Sequence, residues 1–217
     1  MDINGRFVEA CINGDLDKVN YLLTSPELNE HADIHAYSDK ALIWSCREGH
    51  LEVVKFLLTS SELKEHADIH AQNDYGFQLA CLNGHIEVFK YLLTSPDLKE
   101  HADINADDDW GFIRACENGY LEVVKYLLTS PDLKEHADIH AQNDRGFIGV
   151  CARGYLDIVK FHVFEMNYQL SLETRKNINS LDNKDDIFNL FDKRDLQRKL
   201  QESLKVNDEK PVKRTKI

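Results

Sequence analysis

The chain has no run of 18 or more apolar residues, so no segment of it is expected to cross a membrane as a helix. Also missing are a glycine-rich phosphate loop, a Ser-His-Asp order and paired carboxylates in a cleft-forming context, so neither catalysis nor a cofactor is expected. Residues Met1–Arg6 have no basic stretch leading into an apolar one, and no signal peptide is expected there. Positive charge is scarce. The net charge is −12, with −14 carried by residues 1–161 and +2 by residues 162–217. Such an acidic segment repels phosphate backbones, which argues against nucleic-acid binding by residues 1–161. The cysteines number five, and an odd set argues against disulfide pairing and for a reducing compartment, cytosol or nucleus.

Those cysteines stand at Cys11, Cys46, Cys81, Cys116 and Cys151, each 35 residues after the last. One unit copied five times explains this spacing, and a fixed period of that length means a solenoid whose units stack only on their neighbours. Aligned on the cysteine, the third unit reads Asp74-Tyr-Gly-Phe-Gln-Leu-Ala-Cys-Leu-Asn-Gly84. Phe77, Ala80 and Cys81 recur at helical spacing, and Phe7, Leu42, Phe112 and Phe147 match Phe77 elsewhere. Asn4, Asp39, Asp74, Asp109 and Asp144 stand where N-caps belong, and Gly14, Gly49, Gly84, Gly119 and Gly154 stand where a helix stops in the left-handed conformation. A second helix follows, with Leu51, Val54, Leu57 and Leu58 as its apolar stripe and Glu52 and Lys55 on its solvated side. Next, Ser-Pro-Asp-Leu-Lys-Glu (95–100) and its copies predict a further short helical turn, and His-Ala-Asp-Ile-His-Ala (66–71) an extended link. Residues Leu92–Ile104 and Leu127–Ile139 are identical, a mark of internal duplication.

These residues resemble the ankyrin repeat. Gly-His-Leu-Glu-Val-Val-Lys-Phe-Leu-Leu (49–58) is similar to that family's second helix almost letter for letter, and Ala-Asp-Ile-His-Ala to its Ala-Asp-Val-Asn-Ala. The family's Thr-Pro-Leu-His opening is replaced by Tyr75-Gly76-Phe77-Gln78, with the preceding segment shortened and the Ser-Pro segment lengthened. The resemblance therefore implies stunted β-hairpin fingers, similar to the finger-poor variants of large DNA viruses and intracellular bacteria. The expected architecture is an all-α, ankyrin-type solenoid with a helical C-terminal cap. Its repeats are set at about 4–35, 36–70, 71–105, 106–140 and 141–161, the cap at 162–205 and a basic disordered tail at 206–217.

Two kinds of reactive side chain look structural. Each cysteine follows a small residue on a packed helix face and reads as a small hydrophobe. The pairs His31/His35, His66/His70 and His136/His140 would share a face on a helix and could hold zinc. In an extended link the same spacing is about 13 Å, and in the fourth copy the second histidine is Asn105. No metal site is expected.

Function is sought instead where the copies differ. Two residues before each cysteine stand Glu9, Trp44, Leu79, Arg114 and Gly149, and just after the aspartates stand Lys40, Tyr75, Trp110 and Arg145. Both tryptophans of the chain fall in these columns, which the family resemblance places on the concave side. Trp, Tyr and Arg are the types enriched in protein contact hot spots. Trp44, Trp110, Tyr75, Leu79, Arg114 and Arg145 are therefore the candidate partner-binding residues of a cytoplasmic, non-catalytic adaptor for a protein partner. In the alternative reading, an amphipathic helix over 185–204 makes the main contact, including self-association; Lys210–Ile217 offers a nuclear signal.

Overall fold

The computed structural model describes residues 2–208, with side chains as far as residue 202. Among the described residues there are twelve α-helices and no strand. None of these helices is long and apolar enough to cross a membrane. Eight of the helices form four consecutive pairs: α1 (Ile3–Ile12) with α2 (Leu16–Thr24), α3 (Ala36–Glu48) with α4 (Leu51–Thr59), α5 (Ala71–Leu82) with α6 (Ile86–Thr94), and α7 (Ala106–Asn118) with α8 (Leu121–Thr129); α9 (Ala141–Arg153) and α10 (Leu156–Lys160) follow in the same chain order. A π-helical turn (Phe161–Glu165), α11 (Leu172–Asn179) and α12 (Lys184–Asp208) follow. The chain divides into two compact units, residues 1–149 and 150–217.

In the first unit α1, α3, α5 and α7 pack side by side in chain order. The period-35 apolar column is their shared core: Phe7, Leu42, Phe77, Phe112 and Phe147 are at most 2 % exposed. The cysteines of this unit are wholly buried and unpaired. Burial pushes the Cys11 thiol up to about 12 and also raises those of Cys46, Cys81 and Cys116 well above the ordinary thiol value, which leaves them as thiols rather than nucleophilic thiolates. Close approach explains the glycine opposite each of three cysteines. A Cβ on Gly76 would sit 3.2 Å from Cys46 Sγ, and one on Gly146 3.3 Å from Cys116 Sγ. On the second helices, Leu22, Leu57, Leu92 and Leu127 are at most 1 % exposed, while Lys55 pairs with Glu52 on the solvated side of α4.

The predicted N-caps do something else. Asp39, Asp74, Asp109 and Asp144 close four left-handed turns: Tyr37–Asp39, Gln72–Asp74, Asp107–Asp109 and Asn143 with its two neighbours all have φ between 48° and 64°. Left-handed backbone costs an L-residue about 1–2 kcal/mol and normally occurs singly. Asn and Asp tolerate it best, and they supply eight of the twelve residues. The carboxylates reach out of their own helices. Asp39 Oδ1 accepts the Asp68 N–H at 2.9 Å, Asp74 Oδ1 that of Asp103 at 3.1 Å and Asp109 Oδ1 that of Asp138 at 3.0 Å. Asn4 Oδ1 does the same for Asp33 at 2.8 Å, and the real cap of α1 is Asp2, which accepts from Gly5 N–H at 2.7 Å. Three of the four turns thus tie a first helix to the link that follows its own second helix.

The histidines join the same framework. His35, His70 and His140 place Nδ1 at 3.0, 2.9 and 2.6 Å from the carboxylates of Asp39, Asp74 and Asp144. His31, His66, His101 and His136 donate Nε2–H to the carbonyls of Ser25, Ser60, Ser95 and Ser130 at 2.9–3.1 Å. They hold the Ser-Pro segment as one hydrogen-bonded turn, closed by Leu28 N–H to Ser25 O at 3.2 Å, where a helical turn was expected. Among the described residues no cluster of three or more His, Cys, Asp or Glu could hold a metal ion.

Burial raises the Asp109 carboxyl above its ordinary value, helped by the nearby charges of Asp138, Asp103 and Asp108. A raised folded-state value means a stabilising contribution that is present below the usual carboxylate range, about pH 4, and lost as pH rises through the folded value. At neutral pH the buried charge is therefore a cost. Asp109→Asn keeps the acceptor, as Asn4 shows, and removes the charge. Thermal midpoints should rise at pH 7 and change little at pH 4, so the difference between the two pH values narrows.

In the second unit Cys151 is wholly buried, and burial pushes its thiol up to about 12. Helix α10 is cut to five residues and runs into the π-helical turn, where His162 is fully buried and its Nδ1–H donates to Ile158 O at 2.9 Å. The first half of α12 lies on α10 and this turn and caps them. Ile187, Phe191 and Arg194, at i, i+4 and i+7, are buried with Tyr168, and Arg194 Nη1 donates to Tyr168 O at 2.5 Å. Within the expected cap, Tyr168 is buried and Phe164 is 39 % exposed. Leu196 and Leu200, within the amphipathic helix expected over 185–204, are more than half exposed. The predicted tail lies outside the described residues from 209 onward.

Candidate binding surface

Residues 40, 75, 110 and 145 occupy the same turn of α3, α5, α7 and α9, and residues 44, 79, 114 and 149 the next turn. On a helix, i, i+4 and i+7 share a face, so a third column belongs with them: Arg47, Leu82 and Glu117, the residues just after the cysteines. This column varies as much as the other two. Comparing copies at i+7 would have found it in the sequence.

On α3 the three columns make a stack. Trp44 is partly buried, with the Arg47 guanidinium 4.3 Å and the Lys40 ammonium 5.7 Å from its ring. Arg47 also pairs with Glu48 at 3.3 Å. Cations over an indole face are worth about 0.5–1 kcal/mol at exposed sites and hold the ring in one orientation.

On α5 and α7 the candidates touch one another. Leu79 is 6 % exposed, clustered with Ile43 and Ala71, with Leu82 and Trp110 packed against them. It therefore forms the floor beneath Trp110. Tyr75 is 36 % exposed, and its ring lies 6.2 Å from that of Trp110 at 54°. The Arg114 guanidinium stands 4.7 Å over the other part of this pair, the Trp110 ring.

An ion-pair bridge extends the surface to α9. Glu117, itself nearly buried, accepts from Arg114 Nη1 at 2.6 Å and from Arg145 Nε at 3.2 Å. Arg145 Nη1 also donates to Gln142 Oε1 at 3.1 Å. Arg114 Nε is buried without a hydrogen-bond partner among the described residues. Glu117 is the residue of this surface that the two-column reading missed. It pairs with both arginines and so holds them near one another.

Five of the six candidates, Tyr75, Leu79, Trp110, Arg114 and Arg145, are thus joined in one contact chain, with Leu79 as its floor. Trp44 sits on the neighbouring helix with Lys40 and Arg47 as its contacts. The surface offers aromatic faces and guanidinium groups and no thiolate.

A family model described as ankyrin repeats (3 copies) matches residues 7–73, 61–143 and 79–170. No curated protein matches the chain at a significant level.

Proposed function

The chain belongs to the ankyrin-repeat family, whose repeats are generally protein–protein interaction modules, and from that premise we propose a non-catalytic adaptor or scaffold. It binds one protein partner through the variable stripe of α3, α5, α7 and α9, in the cytosol or nucleus. The observation that carries this reading is the Tyr75–Trp110–Arg114–Glu117–Arg145 contact chain. Framework positions repeat every 35 residues, whereas these do not, and their types are those that anchor protein interfaces. Buried free thiols suit a reducing compartment.

A second reading places the main contact on residues 185–204, favoured by Leu196, which is 59 % exposed on α12. One experiment separates the two. Affinity capture from cell lysate compares the intact chain with a folded Trp44→Ala/Trp110→Ala variant. The stripe reading expects a partner held by the first and reduced at least about tenfold on the second, since each hot-spot truncation costs about 2 kcal/mol or more. Equal retention by both sends the binding site to residues 162–217 and ends the stripe reading.

A further inference from the structure

Charge along the stripe runs against charge on the rest of the array. Between residues 36 and 149, six lysines recur with the repeat: Lys55, Lys90 and Lys125 on the second helices, and Lys64, Lys99 and Lys134 in the Ser-Pro segments. The four cations that do not recur are Lys40, Arg47, Arg114 and Arg145, and all four lie on the stripe. Every arginine of that span is among them. Two acids offset part of this charge, Glu48 beside Arg47 and Glu117 between the two other arginines. The stripe stays positive on a repeat region whose net charge is −14.

The cations are also placed in order. Lys40 and Arg47 flank Trp44 at one end, Arg114 and Arg145 lie at the other, and Tyr75 and Trp110 sit between. Neighbouring packed helices are about 8–10 Å apart, so α3 to α9 spans roughly 24–30 Å in three steps. An extended chain covers that distance in about seven to nine residues at 3.3 Å each.

Building on the stripe reading above, we propose that the occupant is an extended acidic segment of a protein partner. It carries Asp or Glu carboxylates at both ends and apolar side chains in the centre. One carboxylate pairs with Lys40 and Arg47, the other with the Arg114–Arg145 pair, and the apolar centre lies on Tyr75 and Trp110. Glu117 positions the two arginines, whose planar edges suit a carboxylate. The surrounding acidic surface repels carboxylates placed anywhere but opposite the four cations, and so fixes the register.

The test is a selection of random twelve-residue peptides displayed against the immobilised full chain, followed by fluorescence anisotropy on the enriched sequences. Enriched peptides should carry Asp or Glu on both sides of an apolar core. Their Kd should rise at least about tenfold on Lys40→Gln/Arg145→Gln, two exposed positions, with the thermal midpoint kept, and rise likewise when the peptide carboxylates become Gln. Peptides that are neutral or basic, or acidic ones that bind this variant as well as the parent, overturn the acidic specificity. If such peptides still need Trp44 and Trp110, the stripe itself stands. A selection that enriches nothing, or only peptides indifferent to both tryptophans, overturns the acidic segment and the stripe reading together.

Discussion

Phe112→Ala should lower the unfolding free energy by about 3–5 kcal/mol, the usual cost of deleting a buried phenylalanine ring. Phe112 is 1 % exposed on α7, and its ring edge reaches the position where Gly146 of the next repeat carries no side chain. The cavity therefore opens on the interface with the next repeat. In a stacked array each repeat is held only by its neighbours, so weakening a central one also uncouples the segments on either side. Equilibrium urea denaturation should show an earlier midpoint and a lower m-value, because the transition ceases to be two-state. Phe7→Ala, on the first helix, should cost less and leave the m-value near the parent's. A loss below about 1 kcal/mol for Phe112→Ala would mean that the ring is not the core element described.

Gly49→Ala should cost about 2–3 kcal/mol, for two separable reasons. Gly49 has φ +81°, a left-handed backbone that costs a residue with a Cβ about 1 kcal/mol or more. An added Cβ would also fall 2.6 Å from Nδ1 of His85. That ring is not free to swing away, since its Nε2–H donates to Arg47 O at 2.8 Å. Moving it gives up a hydrogen bond worth about 1 kcal/mol and the contact between adjacent repeats. A double-mutant cycle isolates this part: in a His85→Ala background Gly49→Ala should cost only about half as much. An unchanged cost in that background would assign the whole effect to the backbone.

Much of this was readable from residues alone, because a repeat compares itself with itself. The cysteine period locates the helices, the Phe77 column locates the core, and the glycine after each first helix marks a left-handed stop. What escaped was non-local. Asp39 and its counterparts look like N-caps because the aspartate precedes a helix, yet their acceptor bonds reach an N–H 29 residues further on. Three successive left-handed residues leave no sequence signal beyond an excess of Asn and Asp. The histidines of the link were read as extended, but rings that fold back on Ser25 and Asp39 shape it into turns.

The surface shows the same division. Variation between copies picks out Trp44, Tyr75, Trp110, Arg114 and Arg145 without any structure. It cannot tell that Leu79 is covered, since the cover is Trp110 from the next helix. Nor does a scan limited to two columns reach Glu117, although its i+7 spacing from Trp110 was there to be used. A residue whose role is to hold two others in place varies with them, and its type says little by itself.

The central claim is that partner binding takes place on the stripe of first helices, and tryptophan fluorescence tests it most directly. Trp44 and Trp110 are the only tryptophans in the chain, and both lie on the stripe. The measurement is emission and iodide quenching, with and without a captured partner fragment or selected peptide that itself contains no tryptophan. Binding on the stripe predicts a blue shift and a fall in quenching that saturate at the stoichiometry of the complex. Emission and quenching that stay unchanged while sedimentation shows the complex formed would contradict the account.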